Sequence, residues 1–218
     1  MTPQAIVFAA YGTLFDVRAV VREGICSIDG NLDTLARLWR QRQLEYTWLL
    51  SLMGRYEDFW SVTQSALQSS CRQLHIELSA SQCNALLTAY LSVPIFPEVA
   101  SALESLKRYP LAILSNGSPD MLGAAVGSSG LDSRITEVIS VDTAKVYKPS
   151  PRAYALGVAT LGLAAEDMLF VSSNWWDVWG AKTFGYSVCW CNRSGEAMEC
   201  TPDFVVTSLD QIARRLTG

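Results

Sequence analysis

The sequence predicts an α/β protein with a doubly wound parallel sheet as its core and an inserted helical cap subdomain. Three short apolar runs, at 5–8, 111–114 and 168–171, each end in a turn of small or polar residues and are typical of buried strands. Helical patterns separate them, over about 97–108, 119–127, 150–162 and 177–184, with proline near three starts and Gly185 after the last. Strands that alternate with helices form a parallel sheet, whose ligands bind beyond the carboxyl ends of the strands. We therefore expect the three turns to converge.

Further segments complete the sheet and define the insertion. Strands are expected near 136–140, 187–191 and 203–206, and a last helix near 208–216 is expected to be capped by Ser208. Residues 17–94 contain no good strand pattern but several long helical ones, including 31–53 and 57–74. We assign residues 1–16 and 95–218 to the α/β core domain, and residues 17–94 to a helical cap able to cover the carboxyl-end face.

Composition excludes several classes of partner. The 218 residues carry 17 Lys+Arg against 21 Asp+Glu, a formal net charge of −4 without basic blocks, which argues against nucleic acid or anionic lipid. No residue before Arg18 is basic and no apolar stretch has the roughly 18 residues of a membrane span, so we expect a cytoplasmic protein. Charged residues are only 17%, which predicts apolar surface used in a homo-oligomer.

The cysteines and the single histidine restrict the chemistry further. His75 alone cannot form a His-rich metal site, and it leaves a Ser-His-Asp triad without support. Six cysteines contain no CxxC pair, and a chain of this length needs no disulfides, so we expect reduced thiols at Cys26, Cys71, Cys83, Cys189, Cys191 and Cys200.

The first predicted loop is the most specific motif, and it reads Phe-Ala-Ala-Tyr-Gly-Thr-Leu-Phe-Asp over 8–16. It resembles the opening motif of the haloacid dehalogenase superfamily, and most closely that of the (S)-2-haloacid (L-2-haloacid) dehalogenases. The resemblance extends through 38–41 (Leu-Trp-Arg-Gln), 43–48 (Gln-Leu-Glu-Tyr-Thr-Trp), 114–118 (Leu-Ser-Asn-Gly-Ser), 146–149 (Val-Tyr-Lys-Pro) and 170–174 (Phe-Val-Ser-Ser-Asn). It implies a Rossmann-like core, hydrolytic dehalogenation of short-chain (S)-2-haloalkanoic acids to (R)-2-hydroxy acids, and a homodimer.

One residue departs from the family pattern, because Ala9 stands where the nucleophilic aspartate belongs. Family chemistry begins with attack of that carboxylate on the halogen-bearing carbon, so we expect this chain to be essentially inactive. Asp16 lies too far along the loop to replace the missing carboxylate, and a role at the cap hinge suits it better. Since the other family positions are filled, we favour a deliberate Asp→Ala change; a natural non-catalytic binder of small carboxylates is the alternative.

A phosphatase of the same superfamily is the rival interpretation. Phosphatases place a second aspartate two residues after the nucleophile and acidic residues in the late loop, as oxygen ligands for Mg²⁺. Here those positions hold Tyr11 and the run Ser172-Ser173-Asn174, with Asp177 as the one obvious carboxylate. We therefore expect neither a metal nor another cofactor.

The resemblance implies roles for the remaining polar residues. Ser115 and Lys148 would hold the substrate carboxylate, and Arg40 would receive the departing halide with Asn116 as a second donor. Other matching positions orient Lys148, the nucleophile or the hydrolytic water, namely Thr13, Tyr154, Ser172, Asn174 and Asp177. Without the resemblance, each residue has an ordinary interpretation: a turn at 115–117, a surface lysine, a salt-bridged arginine and helix capping at 174 and 177.

The resemblance also supplies a substrate pocket. Its alkyl and halogen-lining positions are Tyr11, Gln41, Leu44, Phe59 and Trp176, although core packing is the ordinary fate of aromatic residues. Trp175 and Trp179 flank this region in a less familiar way. The motifs do not fix the preferred halogen or chain length.

Overall fold

Six parallel strands form one sheet in the computed structural model, which describes residues 2–24, 32–197 and 201–217. The strands are β1 (Ala5–Phe8), β2 (Leu111–Ser115), β3 (Glu137–Ser140), β4 (Met168–Ser172), β5 (Ser187–Cys191) and β6 (Phe204–Val206). Their order is β3-β2-β1-β4-β5-β6, so the chain winds outward in both directions from β1. The doubly wound parallel sheet predicted from the sequence is confirmed.

The central strands are buried on both faces, which explains why they read as continuous apolar runs. Val7 of β1 lies between Ala112 of β2 and Phe170 of β4 in the sheet register. This alignment brings the carboxyl ends of β1, β2 and β4 to one edge. The winding direction reverses between β1 and β4, and such a point is where doubly wound sheets bind ligands.

Nine α-helices lie in the described ranges and include every helix predicted above, with ends shifted by a few residues. They are α1 (Ala19–Gly24), α2 (Leu32–Leu52), α3 (Phe59–Leu74), α4 (Ala80–Ala89), α5 (Val99–Ser105), α6 (Pro119–Ser129), α7 (Pro151–Leu161), α8 (Trp175–Phe184) and α9 (Ile212–Thr217). Ser208 instead precedes a 3₁₀ turn, Leu209–Gln211, and its side chain makes no capping hydrogen bond there. The expected Ser208 cap was therefore wrong.

The segment between β1 and α5 contains α1–α4, and the chain enters and leaves it through two adjacent segments. Phe15 and Ile95 form an antiparallel bridge, and the Asp16 N–H donates to the Pro94 carbonyl at 2.8 Å. Inside the helical layer, the Gln43 amide donates to the Thr63 hydroxyl at 2.9 Å and accepts from the Tyr90 hydroxyl at 3.0 Å. This paired neck and separate packing support the division into core and cap, which stays a prediction.

The single histidine and the cysteines also have defined places. His75 follows the last residue of α3 in a left-handed conformation, with φ of 55°. Cys71, Cys83, Cys189 and Cys191 are free thiols, while Cys26 and Cys200 lie outside the described residues. Within the described ranges, no helix combines the length and the apolar character needed to cross a bilayer.

Close packing of α8 against α7 gives the first testable prediction. Gly180 faces Tyr154, and a methyl group on it would lie 2.5 Å from the Tyr154 hydroxyl and 2.7 Å from Pro149 Cβ. Because both neighbours are packed, Gly180→Ala is expected to lower the free energy of unfolding by roughly 1–3 kcal/mol in a urea titration.

Gly127 supplies the matched control, because it is also helical and an added methyl group would meet nothing within 4 Å. Gly127→Ala is expected to leave the free energy of unfolding unchanged or raise it by up to about 1 kcal/mol, through helix propensity alone. Equal effects of the two substitutions would contradict this account of α8 packing.

Candidate active site

The carboxyl ends of β1, β2 and β4 bring three loops together, as the sequence predicted. Ala9 follows β1 and its N–H donates to the Val171 carbonyl of β4 at 2.8 Å, which fixes position 9 at the edge of the sheet. The Ser115 hydroxyl, at the end of β2, accepts from the Gly117 N–H at 3.1 Å. Position 9 therefore faces a loop from each neighbouring strand.

A lysine is buried in the middle of this edge. The Lys148 side chain is 2% exposed, and its Nζ donates to the Leu114 carbonyl at 2.7 Å and to Asp177 Oδ2 at 3.2 Å. Its backbone N–H donates to Asn116 Oδ1 at 3.0 Å. Burial lowers the pKa of Lys148, while the Asp177 charge opposes that shift. The geometry makes Lys148 a fixed positive charge beside position 9.

Asp177 is held from two sides at the start of α8. The Tyr154 hydroxyl donates to Asp177 Oδ1 at 2.8 Å, and Lys148 binds the other carboxylate oxygen. The first turn of a helix also favours a negative charge. Each carboxylate oxygen keeps a second lone pair, so Asp177 can still accept a hydrogen bond from a molecule in the site.

Two predicted residues, Thr13 and Ser172, fix the loops instead of facing the site, whereas Asn174 lines it. The Thr13 hydroxyl accepts from the Ser173 N–H at 2.9 Å, and the Ser172 hydroxyl accepts from the Asn174 N–H at 3.1 Å. Asn174 stands before α8, but its side chain makes no capping hydrogen bond. Capping therefore does not account for the Asn174 amide, which lines the cavity described next.

A small cavity of about 20 Å³ lies over the strand edge, room for about one water molecule. Its walls are formed by Ala9, Ala10, Tyr11, Arg40, Phe59, Leu114, Ser115, Asn116, Lys148, Asn174, Trp176 and Asp177. Arg40 and Asn174 also line a second, larger cavity of about 800 Å³. Arg40 is therefore shared by the small cavity and the larger one.

Arg40, on α2, places a positive charge in the wall of the cavity. In the described part of the chain, its guanidinium makes no hydrogen bond or ion pair, although Tyr11, Tyr90 and Asp177 influence it electrostatically. Burial lowers the pKa of Arg40, but a guanidinium keeps its charge at neutral pH. Because no described residue forms an ion pair with Arg40, this half-buried cation is free to interact with an anion at the cavity wall.

Most residues predicted for the site come together. The cavity walls include ten of them, and Thr13, Tyr154 and Ser172 support the walls through the hydrogen bonds above. Gln41 is exposed and Leu44 is half-buried, and neither lines the cavity. The buried glutamine is Gln43, which lies on the same helical stripe as Trp39, a spacing that could have identified it. Ala10 and Leu114 also line the cavity and were missed, because their apolar side chains suggested no chemical role although both lie within the quoted motifs.

The donor set does not suit Mg²⁺. Asp177 is already bound by a lysine and a tyrosine hydroxyl, and Tyr11 occupies the position of a second carboxylate. Among the residues that the structure describes, no group of three His, Cys, Asp or Glu side chains lies close enough to hold a metal ion. A buried ammonium in that place would repel a divalent cation.

These features define a doubly wound α/β protein with a charged, enzyme-type cavity at the switch point of its sheet. Comparison with known proteins agrees with this class: the family model of the haloacid dehalogenase-like hydrolases matches residues 3–185. The chain belongs to the haloacid dehalogenase-like hydrolase family.

Individual relatives are similar over nearly their whole length. An (S)-2-haloacid dehalogenase of Pseudomonas sp. (strain YL) is 47% identical, over 94% of this chain and 91% of that protein. Haloacetate dehalogenase H-2 of Moraxella sp. (strain B) is 45% identical, over 96% of both. The solved L-2-haloacid dehalogenase from Xanthobacter autotrophicus, with chloropropionic acid covalently bound, is 41% identical with a TM-score of 0.91, covering 100% of this chain and 99% of that one.

The buried ion pair gives the second prediction. Lys148→Met would leave the Asp177 carboxylate buried without a counter-charge, so the free energy of unfolding is expected to fall by about 3–5 kcal/mol. The double variant Lys148→Met/Asp177→Asn is expected to recover much of that loss, because both charges of the buried pair are then absent. Chemical denaturation of each variant measures both effects.

The exposed pair Lys182–Asp203, with a separation of 2.8 Å, is the control. Lys182→Met is expected to change the free energy of unfolding by less than about 1 kcal/mol, because solvent screens both charges. If Lys148→Met proved as mild as Lys182→Met, the buried charge at 177 would not require its partner.

Proposed function

We propose that this site is built for hydrolytic dehalogenation of short-chain (S)-2-haloalkanoic acids to (R)-2-hydroxy acids, with position 9 as the place of the nucleophile. The observation that carries the proposal is the Arg40 guanidinium, which lines the same cavity as Ala9 and Lys148 and forms no ion pair with any residue that the structure describes. A halide leaving a carbon atom between these groups would find a preorganised cation. The activity of the relatives named above supports the same reaction.

In the first step, an aspartate carboxylate at position 9 would attack the halogen-bearing carbon from the side opposite the halogen. A carbon–oxygen bond forms, and the carbon–halogen bond breaks with its electron pair leaving on the halide, so the configuration inverts. Ser115 and loop N–H groups, with Lys148, would hold the substrate carboxylate. Arg40, with Asn116 as a second donor, would stabilise the halide only as its charge develops.

In the second step, water would attack the carbonyl carbon of the aspartyl ester. Hydrolysis there breaks the bond between the ester oxygen and the aspartyl carbonyl, so the new hydroxyl stays on the inverted carbon and the carboxylate is regenerated. Asp177 is the carboxylate placed to accept a hydrogen bond or a proton from the water, since Tyr154 and Lys148 fix its orientation. Asn174, Thr13 and Ser172 would hold the loop from which the water is presented.

The residue actually present, Ala9, cannot begin this sequence. Loss of the nucleophile in a serine protease lowers kcat on the order of 10⁶-fold, so the chain as it stands is expected to be essentially inactive. A deliberate Asp→Ala change would leave the remaining constellation intact. The alternative is a natural binder of small carboxylates, which the positive Arg40 and Lys148 in the cavity walls favour.

The pocket contacts, the oligomeric state, the domain division and the cellular location are also proposals. Tyr11, Phe59 and Trp176 in the cavity wall would contact the alkyl group and halogen, and Gln41 and Leu44 would join them only after a rearrangement of α2. Exposed apolar side chains at Leu52 and Met53, 84% and 59% exposed, support the proposed homodimer. The division into core and cap and the cytoplasmic location are likewise proposed from the sequence.

Restoring the carboxylate is the direct test. Ala9→Asp is expected to release halide from (S)-2-chloropropionate with a rate on the order of 10⁶ above that of the unsubstituted chain, because only the nucleophile is missing. Halide release, followed in a chloride assay, measures the rate, and chiral analysis of the product should find (R)-lactate.

Ala9→Asn is the matched control, since the amide has nearly the shape of the carboxylate but is a poor nucleophile. It is expected to stay near the activity of the unsubstituted chain. A folded Ala9→Asp variant that releases no halide would overturn the proposal, and magnesium-dependent release of phosphate from a phosphomonoester would indicate the phosphatase instead.

A further inference from the structure

The hydroxyl of Tyr11 is buried in the cavity wall without a partner. The residue is 4% exposed, and its oxygen makes no hydrogen bond in the described structure. A buried hydroxyl without a partner costs free energy, because water satisfied it before folding. The cavity that Tyr11 lines is where a ligand could supply the missing partner.

Aromatic packing holds the ring in one orientation. Tyr11 stacks on Phe59 with ring centres 6.0 Å apart and meets the edge of Tyr90 at the same distance. On another side the ring lies against Gly117, where an added Cβ would come within 2.9 Å of Tyr11 Cε2. The hydroxyl is thus fixed by its surroundings and not by a hydrogen bond.

Neither neighbouring polar group pairs with the Tyr11 hydroxyl in this structure. The Tyr90 hydroxyl donates to Gln43 at 3.0 Å, and no hydrogen bond joins it to Tyr11. Arg40, whose charge acts on Tyr11, has only N–H donors. The charged Arg40 guanidinium and the neutral Tyr11 hydroxyl are therefore both donors at the cavity. A monatomic anion, which accepts hydrogen bonds from any direction, would complement both.

We infer that the Tyr11 hydroxyl donates a hydrogen bond to the halogen as it leaves, beside Arg40, and that it helps to set which halogen the site accepts. This inference rests on the proposed function. No proton is transferred: the electron pair of the carbon–halogen bond goes to the halide, and the O–H bond of Tyr11 stays intact. Tyr11 would touch the reacting atom and is thus a catalytic residue that family motifs would classify as pocket lining.

The Tyr11 hydroxyl remains a hydrogen-bond donor at neutral and moderately alkaline pH. Burial, the largest influence, raises the pKa of Tyr11 above its usual value, so the hydroxyl stays protonated at neutral and moderately alkaline pH. Fluoride is the strongest hydrogen-bond acceptor among the halides and bromide is a much weaker one. The contribution of Tyr11 should therefore decrease from fluoride through chloride to bromide.

Halide binding to the unsubstituted chain tests the inference without catalysis. Trp176 lines the cavity, so a saturable change in tryptophan fluorescence during titration with sodium chloride or sodium fluoride reports occupancy. Tyr11→Phe is expected to raise the chloride Kd about tenfold, the lower end for a hydrogen bond to a charged group. Tyr109→Phe is the matched control, because Tyr109 is also buried with an unpartnered hydroxyl but lies outside the cavity walls.

The outcomes separate the inference from the proposed function. If Arg40→Met weakens halide binding and Tyr11→Phe does not, the inference is overturned while the halide site of the proposed function stands. If the unsubstituted chain shows no saturable halide binding, the inference is overturned, while halide release by Ala9→Asp still decides the proposed function.

A kinetic comparison in the Ala9→Asp background adds a signature that altered packing would not produce. Tyr11→Phe should lower kcat more for (S)-2-chloropropionate than for the bromo analogue, and equal losses would count against the inference.

Discussion

The buried ammonium of Lys148 is the constraint on which the site depends. A charge with 2% exposure must be neutralised where it lies, and Asp177 with the Leu114 carbonyl does so. These three residues belong to different parts of the chain: the end of β2, the loop before α7 and the start of α8. Satisfying one lysine therefore fixes the relative positions of three elements around the carboxyl edge of the sheet, with Tyr154 as a second support for the aspartate.

The balance of charge in the cavity explains how Ala9 changes its chemistry. Arg40 and Lys148 bring two positive charges and Asp177 one negative charge, so the walls carry an excess of one positive charge. An aspartate at position 9 would cancel that excess before substrate enters. With alanine there, a small carboxylate can take the same role from solution. The expected loss of reactivity and the proposed capacity to bind an anion would thus both follow from one difference from the family pattern.

Local patterns predicted the strands and the meeting of their ends, whereas the individual site residues were predicted from the family resemblance. Apolar runs of four or five residues that end in polar turns place Ser115 and Asn174 at strand ends, and parallel pairing then forces those ends together. The cap was harder, since the side of α2 that faces inward depends on its packing against α3: Gln43 points inward and Gln41 outward. The unpartnered state of the Tyr11 hydroxyl is not encoded in any motif, because it reflects the absence of an acceptor among residues brought together only by folding.

The size of the cavity also has a consequence for binding. About 20 Å³ accommodates one water molecule, whereas a haloacid of six or more non-hydrogen atoms needs several times that space, so cap and core must separate for substrate to enter. At the neck, Phe15 pairs with Ile95 through backbone contacts that a rotation can preserve. Elsewhere between the two parts, the Tyr56 hydroxyl donates to Asp142 at 2.7 Å, a side-chain contact that can break and re-form. Arg40 belongs to the proposed cap, so on the proposed function such an opening would carry the halide-binding charge away from the strand edge, and closure would restore it.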